Sequence, residues 1–415
     1  RLIYAQGGAY GLADAGADKA KGEKLNLSDL TLRVDPPAEW RQIYNEAWRM
    51  ERDFYYDPNF HGLNWPAMRE KYGRLLPFAS CRGDVRFLIG ELISELNTSH
   101  TYVSGGDKRR KADRVRVGLL GVDWKADAAS GRYRFGRILR APDWTSDVQP
   151  PLAGLGVDIR EGDYLLAVNG REVTTASEVY RWFEGLADKQ VSLRVNSQPG
   201  PEGAREVTVK PASDEMRLRY LDWVERNRQA VDKASGGKIG YIHMPDTYTG
   251  SARMFPTYWY GQTQKEGLII DGRFNHGGLD PDVFLERLDK QILFYWTRRH
   301  SHDYTTPLVV TRAHLAMLTN RQAGSGGDML PAEFQLRKMG PVIGTRTWGG
   351  LVGISTFIPL LDGGMVTAPD YRVYTPDGKW VIENDGVHPD IEIDLDPAGM
   401  ARGYDAQLMK GVEYL

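Results

Sequence analysis

A serine between glycines is the first feature of the sequence that could do chemistry. Residues 320–328 read Asn-Arg-Gln-Ala-Gly-Ser-Gly-Gly-Asp and join a predicted strand, 315–319, to a predicted helix, 326–339. Ser325 would project its hydroxyl from this sharp turn, and its small neighbours would let a carbonyl group approach N–H groups that suit a developing oxyanion. Glycine and serine are also common at ordinary helix starts, so the segment alone does not distinguish a catalytic turn from an ordinary one.

A serine nucleophile needs a base, because its hydroxyl is a poor attacker unaided. The chain has eight histidines, and two of them, His243 and His314, lie in or beside predicted strands, where packing or edge positions are expected. His61 lies in a polar loop and is expected to be solvated. Spacing alone does not choose between His100 and His388 as the base.

Motifs for metals and phosphates are weak or missing. His300-Ser301-His302-Asp303 hints at a metal-binding string, but its spacing is off and no further ligand pair follows. The sequence contains no His-Glu-x-x-His and no Gly-x-x-x-x-Gly-Lys-Ser/Thr. It therefore predicts neither a metal nor a cofactor.

A second glycine cluster follows a predicted buried strand, 267–271. The loop after this strand contains Arg273-Phe274-Asn275-His276-Gly277-Gly278, and its glycines could supply a second N–H to an oxyanion. A loop that needs positive φ angles would use the same residues, so both interpretations stand at this point.

Two amphipathic helices are predicted ahead of His100. In the second, Asp84 is the expected N-cap and helical patterning ends near Asn97, so that residues 98–100 (Thr-Ser-His) follow a rigid helix end. The apolar stripes recur at spacings of three and four and comprise Trp40, Ile43, Ala47, Met50 and Phe54 in the first helix, and Val85, Leu88, Ile89, Leu92, Ile93 and Leu96 in the second.

Short strands broken by turns fill residues 113–212. Asn169-Gly170 between apolar runs predicts a hairpin, and a helix is expected at 177–186. The order of these elements resembles a PDZ domain; a generic small β-barrel is the alternative.

Beyond residue 213, strands and helices alternate, which predicts an α/β layer domain. There, Asp280-Pro281-Asp282 is expected to open a helix, and 371–383 a hairpin that turns at 376–378.

Composition limits what the chain can be. Its 415 residues suggest two or three domains at about 150 residues each. A net charge of −2 gives no sign of nucleic-acid or anionic-membrane binding. One cysteine excludes an internal disulfide framework, and no apolar run approaches the roughly 18 residues of a membrane span. No signal peptide is visible, although processing could have removed one.

The ordered set of motifs resembles a known family. Glu95-Leu96-Asn97-Thr98-Ser99-His100, the PDZ-like unit, the 273–278 loop and 323–328 are followed by Gly344-Thr345-Arg346-Thr347-Trp348-Gly349-Gly350 and by residues 383–390, Glu-Asn-Asp-Gly-Val-His-Pro-Asp. From about Leu25 onward, the chain is similar to the C-terminal half of tricorn proteases, within the tail-specific, S41-type serine peptidases.

The resemblance implies a multidomain α/β fold with a helical subdomain, a PDZ-like β-rich domain and a crotonase-like α/β catalytic domain. The expected boundaries are 37–112, 113–212 and 213–415. Residues 1–36 contain one predicted strand, Leu2–Ala5, and are interpreted as a flexible leader or the remnant of a β-propeller.

The resemblance also implies roles for single residues. Ser325 would be the nucleophile and His100 the general base, with Ser99 between His100 and Glu383. The oxyanion hole would use the Gly326 N–H and one N–H of the Gly277-Gly278 loop. The chain departs from the family at Gly326, often Asp, at Arg321, often an acid, and at His276, often Gly. Because the oxyanion contact uses the backbone, the first departure is expected to cost little.

The activity that the resemblance implies is hydrolysis of short or unfolded peptides through an acyl-enzyme, without metal or cofactor. Peptides are the expected partners, with no nucleic acid and no membrane span. A homo-oligomer is implied, with a hexamer as the candidate state. The compartment is left open between the cytoplasm, slightly favoured, and the periplasm.

Two rival functions are kept. The segment around Ser325 also fits a relaxed nucleophile elbow of an α/β-hydrolase esterase, with His388 as base and Asp390 or Asp370 as its partner. The other rival is a catalytically inert interaction protein that uses its PDZ-like unit. Replacing His100 and His388 one at a time separates the two enzymes, and labelling of Ser325 by a fluorophosphonate would count against inertness.

Overall fold

The computed structural model of the chain describes residues 1–15, 22–107, 113–142, 144–145, 147–279 and 281–415. Contacts group the chain into two compact units. The first comprises residues 1–97, 101–108 and 356–368, and the second comprises 98–100, 109–355 and 369–415. Thr98–His100 therefore belong to the second unit, together with Ser325 and Glu383.

The elements are numbered in chain order. The α-helices are α1 (Pro36–Phe54), α2 (Trp65–Gly73), α3 (Arg82–Ser94), α4 (Met216–Ala234), α5 (Thr249–Tyr260), α6 (Asp282–Leu288), α7 (Gly326–Leu336), α8 (Pro397–Ala401) and α9 (Ala406–Tyr414). The strands are β1 (Leu2–Gln6), β2 (Ala9–Ala13), β3 (Glu23–Lys24), β4 (Tyr102–Ser104), β5 (Val122–Asp127), β6 (Arg132–Ile138), β7 (Tyr164–Val168), β8 (Arg171–Glu172), β9 (Val191–Asn196), β10 (Arg205–Val209), β11 (Ile239–His243), β12 (Gly267–Asp271), β13 (Phe294–Arg298), β14 (Ser301–Thr306), β15 (His314–Thr319), β16 (Val342–Gly344), β17 (Val352–Gly353), β18 (Thr356–Pro359), β19 (Met365–Ala368), β20 (Tyr371–Arg372) and β21 (Ile391–Glu392).

The first unit begins with more structure than the sequence predicts. Strands β1, β2 and β3 form an antiparallel sheet, whereas only one strand, at Leu2–Ala5, is predicted. The rest of the predicted leader includes residues 16–21, which lie outside the described part of the chain. The short strands pair through their backbones, which requires few apolar side chains, so the hydrophobic pattern does not reveal them.

Three helices and a small sheet complete the first unit. The predicted stripes are buried at Ile43, Ala47 and Met50 and along α3, and β4 pairs with β19, which pairs with β18. The predicted N-cap of α3 is wrong, because the helix begins at Arg82. Asp84 lies one turn inside and accepts the backbone N–H groups of Ser80 and Cys81. Asp84 therefore does cap the N-terminus of α3, but it does so from the third helical position and not from the N-cap position.

The PDZ-like part of the second unit is an antiparallel sheet of order β10-β9-β7-β6-β5, with β8 paired to β7. The predicted hairpin is present, because Asn169 and Gly170 join β7 to β8 with φ angles of 48° and 77°, as a type I′ turn requires. The helix predicted at 177–186 is wrong in type and length, since a 3-10 helix spans Val179–Phe183. Gly185, at φ 70°, turns the chain where a longer helix would continue.

A parallel sheet of order β11-β12-β15-β16-β21 forms the rest of the second unit. Strand β12 is buried along its whole length, which explains its continuous apolar sequence. Asp271 at the end of β12 pairs with Leu318, next to the end of β15. The loops after β12 and β15, which carry the two glycine clusters, therefore leave the same edge of the sheet.

Two local predictions in this part need correction. The hairpin predicted at 371–383 is reduced to a single bridge between Tyr374 and Trp380, because β20 at its start pairs with β17 instead. Helix α6 begins at Asp282 with Pro281 at its N-cap; Asp280 lies outside the described residues. Within the described part of the chain, no helix is both long and apolar enough to cross a membrane.

Candidate active site

Ser325 lies at the turn between β15 and α7, where the sequence predicts it. Its backbone has φ 58° and ψ −120°, a conformation that residues with a Cβ rarely adopt. Such strain costs on the order of 1–3 kcal/mol and persists only where surrounding contacts impose it. Gly326 is the first residue of α7, so its N–H has no partner within the helix.

Asp328 imposes part of this backbone conformation. It is fully buried, and its carboxylate accepts the Ser325 N–H at 2.6 Å. It also accepts the N–H groups of Gly349 at 2.8 Å and Gly350 at 3.3 Å. Burial raises the pKa of Asp328, while hydrogen bonds from the Thr347 hydroxyl and from these N–H groups act in the opposite direction. Asp328 is a functional residue that the catalytic motifs do not indicate, although Ser-x-x-Asp is the spacing of a capping box.

Ser99 connects His100 to Glu383. The Ser99 hydroxyl donates to Glu383 Oε2 at 3.0 Å and lies 2.9 Å from His100 Nδ1, and the Ser99 N–H donates to Glu383 Oε1 at 2.7 Å. Since the hydroxyl hydrogen is used toward Glu383, the hydroxyl oxygen is placed to accept from Nδ1–H. This tautomer leaves the lone pair on His100 Nε2, the atom that a general base uses.

Burial sets the charge state of His100. It lowers the pKa of His100, and the Glu383 carboxylate partly opposes that effect by favouring the imidazolium. A lowered pKa keeps the imidazole neutral, and therefore able to take a proton, at neutral pH.

One cavity of about 220 Å³ brings the predicted residues together. His100, Ser325, Gly278 and Gly326 line it. The other lining residues are mostly apolar: Leu279, Met329, Leu351, Val352, Gly353, Ile354, Tyr371 and Val373. A small polar corner facing an apolar wall is typical of a substrate pocket.

The two glycine loops pack closely against each other at Gly326 and Gly278, which both line this cavity. A Cβ on Gly326 would lie 2.1 Å from Thr247 Oγ1, 2.4 Å from Gly278 O and 2.8 Å from Gly278 N. A side chain at position 326 therefore does not fit this packing, which gives the departure from the family's Asp a local reason. Gly277 donates its N–H to Asn275 Oδ1 at 2.8 Å. Of the two candidate donors in that loop, Gly278 is thus the one that lines the cavity.

The rival base lies elsewhere. His388 is exposed, with its Nε2 3.5 Å from Asp385 Oδ1, and it is not among the described residues that line the Ser325 cavity. Its proposed partners are engaged in other contacts, because Asp390 accepts the Val342 N–H and Asp370 accepts the Ser355 N–H. The geometry does not assemble the Ser325–His388 pair.

The other histidines occupy structural or surface positions. His243 is buried between the Tyr220 hydroxyl and the Arg273 carbonyl, as expected for a packing residue. His300 and His302 lie at the exposed hairpin β13–β14. Over the described ranges, no group of three or more His, Cys, Asp or Glu side chains is placed to hold a metal ion.

Three parts of the chain match known families. Residues 36–94 match the tricorn protease C1 domain, residues 118–214 match the tricorn protease PDZ domain, and residues 238–393 match peptidase family S41. The order of the three is that of the helical, PDZ-like and α/β parts described above.

Whole-chain comparisons agree. The chain is 36% identical to a tricorn-like protease C-terminal subunit of Sulfurisphaera tokodaii, over 96% of this chain and 46% of that protein. It is 34% identical to tricorn protease homolog 1 of Streptomyces coelicolor, over 94% of this chain and 36% of that protein. The crystal structure of the tricorn protease superposes with a TM-score of 0.89 at 29% identity, covering 98% of this chain and 39% of that one.

These findings confirm the resemblance and the multidomain α/β class predicted from the sequence. The chain spans less than half the length of each of these relatives.

Proposed function

We propose that the chain is a serine peptidase. The premise is that residues 238–393 match peptidase family S41 and residues 118–214 match the tricorn protease PDZ domain. Its proposed substrates are short or unfolded peptides, cleaved as an endopeptidase or oligopeptidase. The observation that carries the proposal is that Ser325 and His100 line one cavity while His100 is held through Ser99 by Glu383. The domain boundaries 1–36, 37–112, 113–212 and 213–415 are part of the proposal.

The reaction begins with proton transfer. His100 Nε2 takes the proton of the Ser325 hydroxyl as Oγ attacks the carbonyl carbon of the peptide bond. The carbonyl oxygen becomes an oxyanion, which the N–H groups of Gly326 and Gly278 stabilise. Glu383 stabilises the imidazolium that forms, acting across the Ser99 hydroxyl.

Collapse of this intermediate breaks the carbon–nitrogen bond. The imidazolium gives its proton to the leaving amine, and the acyl group remains on Ser325 Oγ as an ester. A water molecule then attacks the ester with His100 again accepting a proton, and the acid product leaves with Ser325 restored. Each proton taken by His100 is returned, so the cycle balances without an additional reagent.

Digestion of a peptide library by the wild-type chain and by Ser325→Ala tests the proposal. Wild-type protein should cleave, and Ser325→Ala should fall to the background. Loss of labelling by a fluorophosphonate in Ser325→Ala and in His100→Ala, with labelling retained in His388→Ala, supports the assigned pair. Loss in His388→Ala alone would favour the esterase reading, and a wild-type chain that neither cleaves nor labels would favour an inert interaction protein.

A homo-oligomer, with a hexamer as the state to test, is also proposed. Strand β13 supports it, because all five residues are exposed and three of them are Phe294, Tyr295 and Trp296. An exposed aromatic strand of this kind is typical of an interaction surface. Light scattering on the eluted protein should give a multiple of the 46.7 kDa chain mass, and Trp296→Asp should lower it. A monomer at all concentrations would reject assembly.

A further inference from the structure

Four consecutive backbone N–H groups of one segment donate hydrogen bonds to both halves of the site. The first three bind the turn that carries Ser325, and the fourth binds the carboxylate behind His100. The segment Trp348–Leu351, here called the brace loop, follows Gly344-Thr345-Arg346-Thr347. Trp348 N–H donates to the Ala323 carbonyl at 2.9 Å, and the next two N–H groups donate to Asp328. Leu351 N–H then donates to Glu383 Oε2 at 2.6 Å.

The brace loop is also held from the Glu383 side. Asn384 N–H donates to the Gly349 carbonyl at 2.7 Å. Gly349 has φ 82°, and a Cβ there would lie 2.8 Å from Gly386 N. The loop thus fits closely against the turn that presents Glu383, in a conformation that favours glycine.

The Trp348 ring reaches both halves of the site. Its centroid lies 5.7 Å from that of the His100 ring, with the planes 38° apart. A Cβ on Gly324 would lie 2.5 Å from the Trp348 ring, so the ring covers the backbone just before Ser325. Trp348 is 45% exposed, which separates it from the buried core that determines folding.

We propose that Asp328 and Trp348 are positioning residues that act through the brace loop. Asp328 binds the Ser325 N–H with the same carboxylate that binds the brace loop, and the brace loop binds Glu383. The nucleophile turn and the Ser99–His100 relay are therefore fixed relative to each other through two carboxylates, the buried Asp328 and the half-buried Glu383. This inference rests on the proposed function, because it concerns how often Ser325 Oγ faces the base.

A purely structural role for Asp328 makes a different prediction from a positioning role. If Asp328 only stabilises the fold, its loss lowers the fraction of folded molecules, and each folded molecule keeps its rate. If it positions Ser325, each folded molecule turns over more slowly. Asp328 does not line the cavity in the described part of the chain, so binding of substrate should change little in either case.

Asp328→Asn tests the distinction in the full chain. An amide offers one acceptor oxygen and turns an N–H₂ group toward backbone donors, so the shared contacts cannot all survive. Sites are counted from the final amount of fluorophosphonate label, and kcat is then expressed per labelled site. We expect kcat per site to fall by about 10- to 100-fold with KM within about twofold, as for a misplaced catalytic group.

Asp163→Asn is the matched control. Asp163 is also buried and accepts a backbone N–H, from Arg160, but it lies just before β7 in the PDZ-like part of the chain. It should leave kcat per site unchanged. An unchanged kcat per site in Asp328→Asn would overturn the inference while leaving the proposed function intact. A wild-type chain without labelling or cleavage would overturn the proposed function and this inference with it.

If Asp328→Asn does not fold, two variants of Trp348 test whether the brace loop positions the catalytic residues. Trp348→Ala removes the ring from His100 and from Gly324 at a half-exposed position, and should lower kcat per site about 3- to 10-fold with little change in Tm. Trp348→Phe keeps an aromatic face there and should recover part of the loss. Equal rates for wild type, Trp348→Ala and Trp348→Phe would overturn the positioning role.

Discussion

Two carboxyl groups are buried in different ways: Glu51 lies in helix α1 of the first unit, and Asp328 lies in the first turn of helix α7 in the second unit. Glu51 in α1 has no exposed surface, and neither of its carboxyl oxygens has a hydrogen-bond partner among the described residues. Burial alone raises the pKa of Glu51 to about 8. Asp328 is buried as completely, yet it accepts three backbone N–H groups.

The difference follows from what each backbone needs. In α1 the main-chain groups are satisfied within the helix, and apolar side chains such as Ile43, Ala47 and Met50 supply the packing, so Glu51 has nothing to bind. The loops around Ser325 lack the regular backbone hydrogen bonds of a helix or a sheet, so their buried N–H groups require other acceptors. Carboxylates in the catalytic region therefore determine backbone position, whereas the carboxyl in the helical region is neutralised.

The largest expected effect tests the glycine packing of the catalytic region. Gly326→Ala would place a Cβ within 2.4 Å of Gly278 O and separate the two oxyanion donors. Loss of such a donor lowers kcat about 100- to 1000-fold. Peptide hydrolysis measures this loss. Gly261→Ala, where a Cβ would have open space, is the control and should retain full activity. Near-normal hydrolysis by Gly326→Ala would refute the assignment of the oxyanion hole.

Glu383→Gln tests the use of carboxylates to hold loops. Glu383 accepts the Ser99 N–H, the Ser99 hydroxyl and the Leu351 N–H, and an amide oxygen cannot accept all three in place. We expect kcat/KM to fall about 10- to 100-fold, less than for a carboxylate in direct contact with the base, because Ser99 intervenes. Glu215→Gln, at a carboxylate that binds Gly121 N–H and Arg219, should be unaffected.

Glu51→Gln tests whether the buried Glu51 is protonated in the folded state. Because the pKa of Glu51 is raised from 4.5 to about 8, the folded state binds more protons than the unfolded state between these values. The free energy of unfolding should therefore fall as pH rises through this window. Glu51→Gln does not titrate and should be more stable than wild type by about 4 kcal/mol at pH 8, with little difference at pH 4.5.

Urea denaturation at several pH values measures this difference. Glu46→Gln, on the same helix but partly exposed and paired with Arg49, should follow the wild-type pH dependence. A difference between Glu51→Gln and wild type that does not grow with pH would mean that Glu51 is ionised in the folded state.

The smallest expected effect is on the pH dependence of hydrolysis. Burial lowers the pKa of His100, so the acidic limb of kcat/KM should have its midpoint below the ordinary histidine value of 6.5. Since the Glu383 charge raises the pKa of His100, Glu383→Gln should move that midpoint lower still. A midpoint that rises in Glu383→Gln would contradict the electrostatic effect of Glu383 on His100 across Ser99.

Local patterns predict those elements whose cause lies within a few residues. The stripe along α3, the Asn169-Gly170 hairpin and the Gly-Ser-Gly turn before α7 follow from helical period, turn chemistry and backbone freedom. The same reasoning fails at 177–186, where a shorter 3-10 helix, Val179–Phe183, stands in place of the predicted helix. It also fails at β2 and β3, whose pairing depends on backbone groups rather than on apolar side chains.

The sequence by itself determined which segments could carry chemistry: a serine at a helix start, two glycine loops and a short list of histidines. Only the tertiary structure placed His100, and not His388, at the Ser325 cavity, and only it joined Asp328 and Glu383 through the brace loop. The physical reason is that these contacts are made by backbone N–H groups, which every residue except proline carries. Their partners are determined by where the strands of the sheet end, which spacing along the chain does not encode.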